Sequence, residues 1–220
     1  MNIIKSLVHK IKEEVNYNIS FHLMIKEILN QINEESINFF EIGTAYGDSS
    51  TKVIFGKLLN TGKKFMMTGF EPINEIHKVA EERWRNYDNV EILKNYFLSS
   101  ASIKFLVEVI KKEIADDLTL QNNIKNYLSI PLEFLVKREL LRKPDIIFID
   151  SIRYSHAGIV NTICELNLND AVIVMEDDIP DYGELKIIEK HFSLTNLKKF
   201  RCYPHQWPYI SFRANKRKDQ

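Results

Sequence analysis

Residues 145–175 read DIIFIDSIRYSHAGIVNTICELNLNDAVIVM, and this stretch decides the fold. Two short apolar runs, 145–150 (DIIFID) and 171–175 (AVIVM), stand on either side of a helical pattern at 158–166. Their apolar residues are continuous rather than alternating with polar ones, which is typical of parallel strands covered on both faces. This strand–helix–strand unit predicts an α/β fold built on a parallel sheet.

The same alternation continues towards the N-terminus. Strand patterns lie at residues 37–42 (INFFEI), 65–70 and 90–93, and helical patterns lie between them at 49–59 and 74–85. A further helix is predicted at 102–114. Near the C-terminus, two short strand patterns at 197–202 and 209–214 flank the loop YPHQWP, which predicts an antiparallel hairpin.

Two regions lie outside this pattern. Residues 1–36 have helical periodicity with a break near 16–20, and we interpret them as an N-terminal helical cap of two helices before a domain at 37–220. Residues 115–142 are too many for a simple crossover and form a helical insertion. Such an insertion is typical of a lid, a substrate cap or an oligomer contact, so a homodimer is one expectation.

Composition limits the class of protein. The 220 residues hold 30 Lys and Arg against 30 Asp and Glu, and this balance argues against disorder and against a dedicated nucleic-acid binder. No apolar run approaches the roughly 20 residues that a membrane span needs, and residues 1–12 do not resemble a signal peptide. Cys164 and Cys202 lack metal-ligand spacing, so we expect reduced thiols and a cytoplasmic protein with no membrane partner.

The loop after the first core strand carries the first chemical signal. Residues 40–50 read FEIGTAYGDSS, so an acid ends a buried strand, two glycines follow, and a helix begins. Glycines permit a positive φ and a close approach of backbone to a ligand, and a helix start suits an anionic group. The three residues between Gly43 and Gly47 do not fit the dinucleotide pattern G-x-G-x-x-G. A tight turn without a ligand is the alternative.

A second acid follows the next strand. Glu71 lies in the sequence Gly69-Phe70-Glu71-Pro72, about 24 residues after Gly47. In open parallel sheets an acid at this place hydrogen-bonds a ribose diol, and ligands lie beyond the carboxyl ends of the strands. A surface glutamate before a proline that starts a helix is the alternative.

The loop and the second acid together resemble the cofactor site of class I S-adenosylmethionine-dependent methyltransferases. The matching pattern is Glu41-x-Gly43-x-x-x-Gly47-x-Ser49 followed by Glu71, and the resemblance extends over roughly residues 37–214. It implies a Rossmann-like methyltransferase sandwich whose mostly parallel sheet has seven strands, with the antiparallel hairpin at one edge. Many members have a glycine where this chain has Ala45.

By this resemblance, the backbone around Gly43 and Gly47 faces the methionine part of S-adenosyl-L-methionine, Glu71 holds the ribose hydroxyls, and Asn95 and Tyr96 lie near the adenine. The residues implied to bind the cofactor are Glu41, Gly43, Thr44, Ala45, Tyr46, Gly47, Ser49, Glu71, Pro72, Asn95, Tyr96 and Asp150.

Acids also follow the two strands of the opening stretch. Asp150 ends the first, and Asp177 and Asp178 come shortly after the second. Carboxylates brought together repel one another unless a cation balances them, and hard oxygen ligands suit Mg²⁺ or Ca²⁺. The arrangement is similar to small-molecule O-methyltransferases of the macrocin and sugar-modifying type, in which acids at these places hold a divalent metal. Alternatively, Arg153 pairs with Asp150 or Asp177 and no metal is needed.

The resemblance to that branch is imperfect after Asp150. Its pattern is Asp-Gly-x-His-x-Tyr, but Ser151 and Arg153 replace the glycine and the histidine here, and His156 comes three residues late. The candidate catalytic residues are therefore Asp150, Arg153 and His156. Deprotonation of an acceptor hydroxyl needs either a metal or a general base such as His156.

The predicted function is methyl transfer from S-adenosyl-L-methionine to a hydroxyl of a small molecule, a sugar or a secondary metabolite. Assistance by Mg²⁺ and catalysis without a metal are the two alternatives for the deprotonation. One alternative function is a catalytically inactive methyltransferase-like module that binds the cofactor and serves as a partner or sensor. A nucleotide-dependent oxidoreductase is another, against which the glycine spacing argues. We expect no nucleic-acid partner.

Overall fold

The computed structural model describes residues 15–113, 124–138, 141–151, 155–176, 184–203 and 207–217. The strands are β1 (Val15–Ser20), β2 (Ser36–Ile42), β3 (Lys64–Phe70), β4 (Val90–Leu93), β5 (Ile146–Ile149), β6 (Val172–Glu176), β7 (Phe192–Tyr203) and β8 (Trp207–Arg217). The helices are α1 (Phe21–Leu29), α2 (Ser50–Leu59), α3 (Asn74–Trp84), α4 (Ser100–Glu113), a 3₁₀ turn (Leu132–Phe134), α5 (His156–Glu165) and α6 (Glu184–His191).

One mixed sheet organises the part of the chain that the structure describes. Its eight strands have the order β1-β7-β8-β6-β5-β2-β3-β4. All neighbouring pairs are parallel except those of β8, which runs antiparallel to both β6 and β7. The predicted α/β class, the mostly parallel sheet and the antiparallel C-terminal hairpin are confirmed, whereas the strand count is eight rather than seven.

The additional strand, β1, corrects the prediction for the N-terminal region. The predicted break near residues 16–20 is a strand that pairs in parallel with β7, from Val15 opposite Lys198 to Ser20 opposite Tyr203. The segment VNYNIS alternates apolar and polar residues, which is a strand pattern, but its asparagines and serine also favour turns. The hairpin therefore does not lie at the sheet edge. The second predicted helix is α1, residues 1–14 lie outside the described residues, and the division into a cap and a domain stays a prediction.

Two apolar layers cover the sheet. One contains α1, α2 and α3, and the other contains α4, α5 and α6. In β5, Ile146 and Phe148 face the first layer while Ile147 and Ile149 face the second. This arrangement explains the continuous apolar runs, because both faces of the strand are buried. Burial of each large apolar side chain contributes about 1.5–3 kcal/mol to the stability of the fold. No described helix has the length and apolar character to cross a membrane.

Candidate cofactor site

The carboxyl ends of four strands meet at one edge of the sheet. The Gly43 amide donates to Phe70 O at 3.0 Å, the Glu71 amide to Leu93 O at 3.0 Å and the Asp150 amide to Ile42 O at 2.9 Å. These backbone bonds continue the ladders one residue beyond β2, β3 and β5. The residues predicted at the ends of these strands are therefore neighbours in space.

The loop after β2 uses left-handed backbone at three places. Gly43 has φ +90° and Gly47 has φ +67°, while Ala45, where many methyltransferases have glycine, has φ +49°. A Cβ on Gly43 would lie 1.8 Å from the carbonyl oxygen of Asp150, so only glycine fits between the ends of β2 and β5. The predicted need for glycine in this loop thus has two causes, backbone conformation and close strand packing.

The Glu71 carboxylate holds the loop against the end of β3. Its Oε2 accepts from the Ala45 amide at 3.0 Å and its Oε1 from the Ile73 amide at 2.9 Å, and the residue is buried. A carboxylate has about four acceptor positions, so two remain for hydroxyl donors of a ligand. Pro72, between these contacts, is half-buried.

Glu41 lies at the same edge but faces α2. Its side chain is fully buried, and its two carboxyl oxygens accept from the Ser50 and Thr51 hydroxyls at 2.8 and 2.7 Å. Burial raises the pKa of Glu41 to about 8, the two hydroxyls oppose this shift, and the charge of Asp150 adds to it. Contact between Glu41 and the cofactor stays a prediction, whereas its contact with the first turn of α2 is observed.

The start of α2 leaves backbone donors available. Ser49 precedes the helix and makes no side-chain capping bond. The first amides of a helix have no partners within it, and they favour anionic groups together with the helix dipole. Thr44 is buried and its hydroxyl lies 3.4 Å from Glu41 O, while Tyr46 is exposed.

Helix α3 contacts the loop from the side. Trp84 Nε1 donates to Gly47 O at 2.9 Å, and Arg83 donates to Tyr46 O at 2.5 Å and pairs with Asp48 at 3.2 Å. We call Arg83 and Trp84 the α3 clamp. The Trp84 ring is buried against Phe55, and no spacing in the sequence indicates its indole bond to the loop.

The helical insertion reaches the predicted adenine region. Tyr96 pairs with Leu135 in an isolated parallel bridge, in which the Tyr96 amide donates to Phe134 O at 2.8 Å and the Val136 amide to Tyr96 O at 3.1 Å. Asn95 and Tyr96 are half-buried in the segment after β4. The described part of the insertion, residues 124–138, therefore fixes the backbone at which the resemblance places the adenine.

The predicted catalytic and metal residues are described only in part. Asp150 is half-buried after β5, with Oδ2 3.4 Å from the Ser50 hydroxyl oxygen, and His156 is buried at the first position of α5. Arg153, Asp177 and Asp178 lie outside the described residues. Among the side chains that the structure describes, no group of three or more His, Cys, Asp or Glu could hold a metal ion.

Solved structures provide the comparison for this geometry. The chain is similar to a fibrillarin/Nop5p complex, with 14% identity, a TM-score of 0.52, and coverage of 86% of this chain and 79% of that one. The fold is that of class I S-adenosylmethionine-dependent methyltransferases. No protein-family model matches the sequence, and a search of curated proteins finds no match.

Two further similar structures have lower scores. One is Aeropyrum pernix fibrillarin with natively bound S-adenosyl-L-methionine, at 11% identity and TM-score 0.49, covering 86% of this chain and 73% of that one. The other is a Pyrococcus abyssi tRNA (uracil-54, C5)-methyltransferase with S-adenosyl-L-homocysteine, at 10% identity and TM-score 0.44, covering 87% of this chain and 37% of that one. The expectation of no nucleic-acid partner stays a prediction.

Proposed function

We propose that this protein is an S-adenosylmethionine-dependent methyltransferase. The observation that carries the proposal is the 3.0 Å hydrogen bond between the Ala45 amide and the Glu71 carboxylate. This bond joins the loop after β2, residues 43–49, which we call the glycine loop, to the acid that follows β3. The bond supports the proposal because it keeps this loop beside an acid that has two acceptor positions left for a ligand.

The residues present fit the cofactor. Glu71 has acceptor positions for the ribose hydroxyls, and the uncapped start of α2 offers amides to the methionine carboxylate. When bound, the cofactor would supply an electrophilic methyl group, to which the acceptor oxygen would bond as the carbon–sulfur bond breaks in line and S-adenosylhomocysteine leaves. Because such displacement depends on orientation, the fixed loop and the backbone-anchored Tyr96 segment supply positioning.

For the acceptor, we propose a hydroxyl of a small molecule. This part rests on the resemblance to the macrocin and sugar-type branch around Asp150, with His156 as the candidate base and Arg153 as a charged neighbour. Metal assistance would involve Asp150 together with Asp177 and Asp178. The metal is a separate part of the proposal. If a chelator does not affect turnover, the metal is not needed and the proposal of methyl transfer remains.

Calorimetric titration with S-adenosylhomocysteine tests the central claim. We expect binding by the unaltered protein and about tenfold weaker binding by Glu71→Gln, because charge-assisted hydrogen bonds to the ribose would be lost. Glu91→Gln, an exposed position on β4, is the matched control and should bind like the unaltered protein. Absence of binding, or full binding after Glu71→Ala combined with Gly43→Val, would contradict the proposal. A parallel NAD(H) titration tests the oxidoreductase alternative.

A second candidate is a module that binds the cofactor without turnover. Arg153 supports it, because this residue stands where the macrocin-type pattern has histidine. Panels of sugar, metabolite and RNA acceptors separate the two functions. Methyl transfer to any of them, together with its loss in Asp150→Asn, would favour the enzyme over the module.

A further inference from the structure

A cavity lies at the edge of the sheet opposite the loop after β2. Helix α2 begins at that loop and extends for ten residues, about 15 Å, before its end meets the end of α1. Between the two helix ends is a cavity of about 540 Å³, within the range of small-molecule sites. We call it the lysine cavity, and its polar lining includes Lys26, Lys57, Lys63, Asn30, Asn33 and Asn60.

The residues that line the cavity carry positive charge, and no acidic residue among those described balances it. Among the described residues that line the cavity, three are lysines and none is acidic. Within the described part of the chain, neither Lys26 nor Lys57 has an ion pair or a hydrogen-bonded partner for its ammonium group, although Lys57 is half-buried. Glu27, which follows Lys26 in α1, pairs with Lys198 instead.

Lys26 and Lys57 lie in the last turns of α1 and α2, where the helix dipole favours a positive charge, but their ammonium groups are not hydrogen-bonded to the terminal carbonyls of these described helices. At the end of α1, the carbonyls of Lys26, Ile28 and Leu29 already accept backbone amides of the following turn. At the end of α2, the carbonyls of residues 56, 58 and 59 are bonded in the same way. Only Lys63 is used structurally, since its ammonium donates to Ile32 O at 2.5 Å, and this leaves two of its three donors.

We propose that the lysine cavity binds a phosphate-bearing ligand. Three ammonium groups and three amide side chains provide charge and hydrogen-bond donors suited to phosphate oxygens. The same chemistry could be presented by a free phosphorylated metabolite or by the backbone of an RNA. The site does not depend on the proposed methyltransferase function, because it shares no residue with the glycine loop or Glu71.

Titration with inorganic tripolyphosphate at low ionic strength tests the proposal without the natural ligand. We expect binding by the unaltered protein, weaker binding in high salt, and a loss of about tenfold or more in Lys26→Gln/Lys57→Gln. Lys52→Gln/Lys104→Gln is the matched control, because it removes the same charge from exposed positions on α2 and α4 that do not line the cavity. Thermal unfolding verifies that both pairs are folded, and Lys57→Gln alone replaces the first pair if that pair is unstable.

No binding by the unaltered protein, or equal losses in the two pairs, would overturn the proposal, since equal losses would reflect net charge alone. Titration with a single-stranded RNA oligonucleotide shows whether the bound phosphate belongs to an RNA or to a small molecule. RNA binding that tripolyphosphate displaces and Lys26→Gln/Lys57→Gln weakens supports the site and assigns it to a polynucleotide backbone. Tripolyphosphate binding without RNA binding supports the site and assigns it to a small phosphorylated molecule.

Discussion

Gly43 occupies a position at which even a methyl group would meet backbone. Its Cβ would lie 1.8 Å from the Asp150 carbonyl oxygen, and neither strand end can move without breaking its ladder. We predict that Gly43→Ala lowers the free energy of unfolding by about 1–3 kcal/mol or more, as measured in urea. Gly56→Ala is the control, because this glycine lies inside α2 with nothing within 4 Å of the added carbon. It should stabilise the protein by about 0.5–1 kcal/mol, and equal effects of the two changes would refute this account.

Glu41 should make stability depend on pH. Its pKa is about 8 in the folded protein against an ordinary value of 4.5, so between these values the folded state holds a proton that the unfolded state has lost. Stability should therefore fall as pH rises through this interval, by up to about 1.4 kcal/mol per pH unit, and level off above pH 8.

Glu41→Gln, which resembles the neutral acid, should flatten this profile in chemical denaturation measured across the same pH range. The exposed Glu91→Gln should leave it unchanged. A profile in Glu41→Gln with the same slope as in the unaltered protein would show that another group is responsible.

The α3 clamp holds the glycine loop against helix α3 through the hydrogen bonds of Arg83 and Trp84. Trp84→Phe keeps an aromatic ring beside Phe55 and Tyr87 but removes the donor to Gly47 O. We predict about tenfold weaker binding of S-adenosylhomocysteine by calorimetry, because the loop would sample more conformations before binding. The unpaired carbonyl should also cost about 1–3 kcal/mol of stability.

The matched control for the clamp is Tyr87→Phe. It changes a polar group in the same aromatic cluster without touching the loop. Unaltered affinity in Trp84→Phe, or an equal loss in Tyr87→Phe, would show that the cluster acts by packing alone.

The strands and turns that could be predicted are those indicated by a short stretch of their own sequence. The apolar runs predicted β5 and β6 because each is buried on two faces, and the glycines predicted the turn after β2. The hairpin was predicted too short, since β7 spans Phe192–Tyr203 with irregular pairing between residues 192 and 198. The hydrogen bonds of Glu41 to the start of α2 and of Trp84 to Gly47 could not be predicted. They depend on how the elements pack in three dimensions, and no regular spacing along the sequence indicates them.

Strand β1 covers the edge of β7 and takes its place as the edge strand of the whole sheet, with six residues rather than twelve. An exposed β7 edge would offer unpaired backbone groups to other chains. We predict that a chain beginning at Ser20 is less stable in urea and more prone to self-association by light scattering than one beginning at Val15. Both chains retain Ser20, which accepts from the Leu23 amide at the start of α1, so the comparison isolates the strand. Equal stability and solubility of the two chains would contradict a protective role.

The pairing of β1 with β7 also has a consequence during biosynthesis. Strand β1 has its partner at residues 198–203, so it stays without that partner until those residues have been translated. Such a distant pairing closes late, after the intervening units have collapsed. Nascent chains would therefore carry β1 with unpaired backbone groups while residues 21–197 are synthesised, which makes this strand a natural target for chaperones that act at the tunnel exit.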